Sequence, residues 1–155
     1  MFDSTKLCAD LERDEGYRSA VYDDATGQLI LPGVHVQGHP TIGIGWALDT
    51  NPLSHERALV ILAWHVDDKT SELFAALPWA QTLDEARCRA LVKMAFNLGV
   101  PGLLQFHNML AALQSARWAE AATEARNSAW FHEVGQRAER IAKAFETGTD
   151  EQPIA

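Results

Sequence analysis

The stretch RDEGYRSAVYDDATG, residues Arg13 to Gly27, holds the change from helical to strand-like patterning on which the fold turns. Upstream of it, Leu7, Cys8 and Leu11 repeat at intervals of three and four, and Ser4 stands where an N-cap belongs. The spacing predicts a short helix over 4–14. Gly16 interrupts the pattern, so Glu15 is expected to project from the helix's C-terminal end. The helix dipole places partial negative charge there, which disfavours an ionised carboxylate. A raised pKa is therefore expected for Glu15, and an ordinary one for Asp24 in the polar turn YDDATG.

Downstream, Val21-Tyr22, Leu29-Ile30-Leu31 and Thr41-Ile42 with Ile44 form short β-type runs punctuated by glycine and proline, which predicts a small hairpin-rich region. Pro52 and Ser54 then introduce a long helix over about 54–76. Leu59, Leu62, Val66, Leu73 and Phe74 are the candidates for its buried face. Pro78 ends it, and a reciprocal capping pattern from Thr82 to Glu85 is expected to open the next helix. Leu91, Ala95 and Leu98 line that helix until Pro101-Gly102 break it before 103–113. Two more helices are expected at 118–126 and 134–146, with Gly148 as the final stop. The last residues, DEQPIA, read as a frayed tail.

With 155 residues, 47% hydrophobic and 22% charged, the composition is that of one self-folding globular domain. Cys8 and Cys88 lie far apart with no C-x-x-C spacing, so they are read as reduced core thiols. The start MFDSTKLCADLERDEG has no apolar signal core, so no export address and no stable membrane association are expected. A net charge of −8 supplies too little positive field for a polyphosphate, so no nucleic-acid partner is expected.

Cutting a glycosidic bond needs a protonated carboxyl group to serve the leaving oxygen and a second carboxylate on the other side of the sugar ring. Glu15 and Asp24 have the unequal surroundings such a pair requires. By itself the signal is weak, since 21 acidic residues offer many chance pairs.

Order supplies what composition lacks. Glu15 followed by Gly16, then Arg18, Tyr22, Asp24 and the run Thr41 to Gly45 are joined by MAFNLG at 94–99, Arg117-Trp118 with Glu120-Ala121-Ala122, Trp130, and FETGT at 145–149. This succession closely resembles the phage-type lysozymes, over about residues 7–149. The resemblance implies an α+β, mostly helical lysozyme-like fold within one domain, 1–155. A small hairpin lobe (about 16–53) and a larger helical lobe (about 77–149 plus the N-terminal helix) would face each other across a cleft, joined by the long helix.

Carried over by position, the resemblance implies Glu15 as general acid, Asp24 as the opposing carboxylate and Thr41 as the hydroxyl holding the attacking water. It also implies inversion, and so a Glu15–Asp24 separation of about 6.5 to 9.5 Å. Phe96 and Asn97 match substrate-binding positions, against core packing for the first and a cap or turn for the second. Arg137 matches an arginine lying near the acid, against a surface ion pair. Trp118 and Trp130 match core positions, while Arg18 is expected to pair with an acidic neighbour.

The implied activity is hydrolysis of the β-1,4 bond between N-acetylmuramic acid and N-acetylglucosamine in peptidoglycan, with no cofactor. It implies an endolysin, expected to be a monomer, held in the host cytoplasm until a holin-type pore lets it reach the wall. A lytic transglycosylase and a non-catalytic peptidoglycan-binding or virion structural domain are the alternatives.

The chain also departs from the family pattern. Sixteen residues separate Asp24 from Thr41 where a handful is usual, so most of 28–40 is an insertion. Ladder pairing can still return Thr41 beside Asp24, since loops lengthen at modest entropic cost, and the insertion could form a flap. Trp46 stands where many relatives carry histidine. His35 and His39 lack helical spacing and a third partner, so no metal site is expected.

Overall fold

The computed structural model describes residues 4–149, and the tail expected at 150–155 lies outside the described residues. The chain divides into two compact units, Met1–Leu59 and Val60–Ala155.

In the first unit, helix α1 (Ser4–Glu15) is closed by Gly16, whose φ of +71° lets its N–H turn back to the Glu12 carbonyl at 2.9 Å. The chain then enters a three-stranded antiparallel sheet of β1 (Arg18–Asp23), β2 (Pro40–Gly43) and β3 (Trp46–Ala47), in that order. The register sets Tyr22 opposite Thr41 and Asp23 opposite Pro40, then Thr41 opposite Ala47. The run Leu29–Leu31 forms no strand. It touches β1 through one bridge, Tyr22 to Leu29, after which Pro32 and Gly33 fold it into a turn closed by Val34 N–H on the Leu31 carbonyl. No residue of α1 is buried, and Cys8 is exposed while Cys88 is half-buried, so the reading of both as core thiols is corrected.

Helix α2 (His55–Ala76) forms where expected, and the boundary between the units falls inside it. Its burial differs from expectation. Leu73 is buried and Phe74 is half-buried against the core, whereas Leu59, Leu62 and Val66 are exposed. The apolar residues of α2 spread around the helix, and the core of the second unit engages only its last turns.

After a 3-10 turn at Pro78–Thr82 come α3 (Glu85–Leu103), α4 (His107–Gln114), α5 (Trp118–Arg126), α6 (Ala129–Val134) and α7 (Gln136–Thr147). The cap of α3 is Asp84, whose side chain accepts the Arg87 N–H at 3.0 Å, and not Thr82, whose hydroxyl donates to the Trp79 carbonyl. The break within α3 falls at Gly99, with φ +71° and ψ 156°, two residues before the expected Pro101. Proline can then sit in the first turn of the following helical segment, where its missing N–H is harmless. A second unforeseen break, at Gly135, separates α6 from α7, and Gly148 ends α7 in the left-handed conformation as expected.

The core is helix packing in which alanines are interleaved with large buried side chains, Phe145, Leu91, Met94, Leu103, Met109 and Leu113 among them. Ala138, Ile141, Ala142, Ala144 and Phe145 of α7 meet Ala121, Ala122 and Ala125 of α5, and Leu91, Met94 and Ala95 of α3, with alanines letting the helices approach closely. Arg87 ties the start of α3 to the end of α7. Its Nε donates to the Phe145 carbonyl at 2.8 Å, its Nη2 to the Glu146 carbonyl at 3.2 Å, and its guanidinium stacks over Trp118 at 4.0 Å.

Candidate active site

Three sequence-predicted residues fall in the first unit. Glu15 is the last residue of α1 and its carboxylate is exposed. The turn between β2 and β3 comes down onto it. A Cβ placed on Gly45 would stand 3.2 Å from Glu15 Oε2, and Gly45 has φ +67°, a backbone conformation that favours glycine there.

Asp24 follows β1 directly and is exposed. Its Oδ1 accepts the His39 N–H at 2.7 Å, and its own N–H donates to the His39 carbonyl at 3.1 Å. Thr41 is 3% exposed, and its hydroxyl also donates to the His39 carbonyl, at 3.1 Å. The sheet register therefore closes the long excursion and brings Asp24 and Thr41 to one peptide unit. A hydroxyl that donates in this way keeps lone pairs with which to accept.

Next to them stands an acid the sequence reading passed over. Asp23 is 1% exposed, and its carboxylate accepts N–H groups from Gln37 at 2.9 Å and from Gly38 and Ala25 at 3.0 Å each. The Gln37 N–H above all, with those of Gly38 and Ala25, holds its carboxyl below the usual carboxylate range against the opposing effect of burial. No signal in the sequence marked it, since its burial comes from the main-chain N–H groups of residues 25, 37 and 38 that close around its carboxylate.

One of the insertion's two histidines has a definite partner. His39 Nδ1 lies 2.9 Å from Asp49 Oδ2, and that hydrogen bond pushes the His39 pKa up while it holds Asp49 down. Arg18 donates to the Gly27 carbonyl at 2.7 Å and stacks over Tyr22 at 4.4 Å, in place of the acidic partner expected for it. Trp46 donates its indole N–H to the Asn51 carbonyl at 2.8 Å, with Arg57 over its ring.

The remaining predicted residues lie in the second unit. Phe96 is 45% exposed, so it is no core residue, and it shares an apolar groove of about 520 Å³ with Leu62, Val66, Val92 and Arg137. Arg137 takes part in no ion pair among the described residues. Asn97 is turned to another task, accepting the Trp130 indole N–H at 2.6 Å, and Trp130 is buried edge-on to Phe106.

Residues 12–143 match the family model for phage lysozyme. The chain belongs to the phage lysozyme family. It is similar to "Probable T4-type lysozyme 1" of Dictyostelium discoideum, 39% identical over 69 residues, which covers 44% of this chain and 41% of that protein. "Probable T4-type lysozyme 2" of the same organism is 39% identical over 67 residues, 43% of this chain and 39% of its own length. The "Pre-baseplate central spike protein Gp5" of Enterobacteria phage T4 is 27% identical over 166 aligned positions, 89% of this chain and 27% of that protein. The matches span about two fifths of the Dictyostelium proteins and about a quarter of the spike protein. Membership of this family points to a lysozyme-type hydrolase.

Proposed function

We propose that the chain hydrolyses the β-1,4 bond between N-acetylmuramic acid and N-acetylglucosamine of peptidoglycan, with inversion at the anomeric carbon. The observation that carries this reading is the attachment of Asp24 and Thr41 to the same His39 carbonyl, in the unit that also presents Glu15. In the proposed reaction, protonated Glu15 donates its proton to the leaving glycosidic oxygen as the bond to the anomeric carbon breaks. Water held by the Thr41 hydroxyl attacks that carbon from the opposite face. Asp24 takes up the proton the water releases, and solvent then restores both carboxyl groups.

In this reading Phe96 supports a pyranose face, Asn97 serves substrate binding through the part of its amide that does not accept from Trp130, and Arg137 is a supporting residue of the reaction. The protein is a monomer that uses no cofactor. As an endolysin it accumulates in the host cytoplasm and meets peptidoglycan after a holin-type pore opens the membrane. The test is digestion of purified peptidoglycan with reducing-end analysis and mass spectrometry. A product carrying one added water supports hydrolysis, an anhydro product makes the chain a lytic transglycosylase, and an intact wall rejects both.

A second reading draws on the similarity to the T4 spike protein, which extends over 89% of this chain. On it the domain is a non-catalytic part of a virion component that binds the wall. Binding to peptidoglycan with no released product, together with recovery of the chain in purified particles, would favour this role.

A further inference from the structure

Asp23 is the only buried carboxylate among the described residues, and the reaction proposed above makes no use of it. We propose that Asp23 is a positioning residue, which fixes the 37–39 segment so that its backbone sets the Asp24 carboxylate for the reaction. The inference rests on the role assigned to Asp24 under the proposed function.

The geometry runs through one carboxylate with two sides. Oδ1 accepts the Ala25 N–H, in the turn that follows Asp24, and the Gly38 N–H, in the segment returning from the insertion, each at 3.0 Å. Oδ2 accepts the Gln37 N–H at 2.9 Å. Both flanks of Asp24 are thereby bound to one rigid group. The next N–H along, that of His39, reaches Asp24 Oδ1 at 2.7 Å.

Gly38 shows how closely the segment is applied. A Cβ there would collide with Asp24 Oδ1 and would come within 2.8 Å of the Ala25 Cβ. The Gly38 backbone is thus one wall of the space the Asp24 carboxylate occupies. An ionised acid accepts all three N–H groups, whereas an asparagine must turn an NH2 toward one of the donor sets.

Three variants measured on soluble peptidoglycan fragments test the proposal. Asp23→Asn and Gly38→Ala should each lower kcat about tenfold or more with KM changed by less than about twofold, since a misplaced reacting group affects the transition state more than binding. The double variant should be no slower than the slower single one, because both changes release the same arrangement. A merely structural role would lower Tm and leave kcat per folded enzyme unchanged, or would give factors that multiply, and either result overturns the proposal. Should Asp23→Asn not fold, Asp23→Glu, which keeps the charge and shifts the acceptor away from the three N–H groups, decides in its place on the same kcat and KM readings. Asp24→Asn separates the two layers. If it keeps full kcat, the assignment of Asp24 falls, whereas its loss beside an unaffected Asp23→Asn removes only the positioning role.

Discussion

Asp24 and Thr41 are bound to the same carbonyl: that of His39 accepts the Asp24 N–H and the Thr41 hydroxyl, each at 3.1 Å. A sequence separation of sixteen residues is thereby reduced to a shared hydrogen-bond acceptor. Replacing Thr41 by valine keeps the shape and removes the hydroxyl. The variant should stay folded, lose about 1 kcal/mol of stability, and lose about tenfold or more in kcat, while Thr41→Ser keeps most of the rate. Parallel urea unfolding and reducing-end assays read both effects, and a fully active Thr41→Val removes the water-holding role.

Glu15→Gln should lower the hydrolytic rate by about a hundredfold to ten-thousandfold, the range for losing a general acid. Because the side chain is exposed at a helix end, the midpoint of thermal unfolding should hardly move. Retention of more than about a tenth of the wild-type rate would assign the acid elsewhere.

The His39–Asp49 pair gives a titration with a definite sign. The folded-state pKa of His39 is raised, so its contribution is fully present below the unfolded value near 6.5 and is lost as pH rises through the folded one. That of Asp49 is lowered, so its contribution is present above the unfolded value near 3.8 and is lost as pH falls through the folded one. The contact is therefore strongest in mildly acidic solution. NMR titration should find His39 above an ordinary histidine, and Asp49→Asn should bring it back down. An unchanged His39 titration in that variant contradicts the pairing.

Arg87 is where the second unit should be most sensitive. Its guanidinium serves two main-chain carbonyls at the end of α7, the Asp84 carboxylate and the Trp118 ring. Arg87→Met should destabilise by about 2 to 4 kcal/mol, as expected when buried charge-assisted hydrogen bonds are lost. Gly148→Ala should act in the same direction, because its methyl would strike that guanidinium and its φ is +69°. Denaturant midpoints check both, and a loss below about 0.5 kcal/mol for Arg87→Met would show the latch to be dispensable.

Most of the helices were legible because they repeat apolar residues at helical spacing, and α5 falls at the residues expected for it. The break at Gly99 was not, since Pro101 nearby offers a more obvious stop, and neither was α6 with the break at Gly135 that ends it, since a helix of six residues is too short to show a period. The exposed face of α2 escaped notice because leucine and valine spread around a helix look alike whether covered or bare. Glu15, Asp24 and Thr41 could be picked out by order along the chain, and their neighbourhood could not. Asn97 finds its partner 33 residues away, Arg87 binds carbonyls that every residue possesses, and Asp23 looks like any surface acid until the strand turns it inward.

The insertion enters and leaves through main-chain contacts: Asp23 N–H to the Gln28 carbonyl on one side, Asp24 N–H to the His39 carbonyl on the other. Contacts of that kind do not depend on which side chains lie between them. Residues 32–36, outside the Gln37–His39 segment that Asp23 and Asp24 hold, thus behave as a cassette whose contents can be exchanged for a tag or a binding peptide, with each doubling in length adding only about 0.6 kcal/mol of closure entropy.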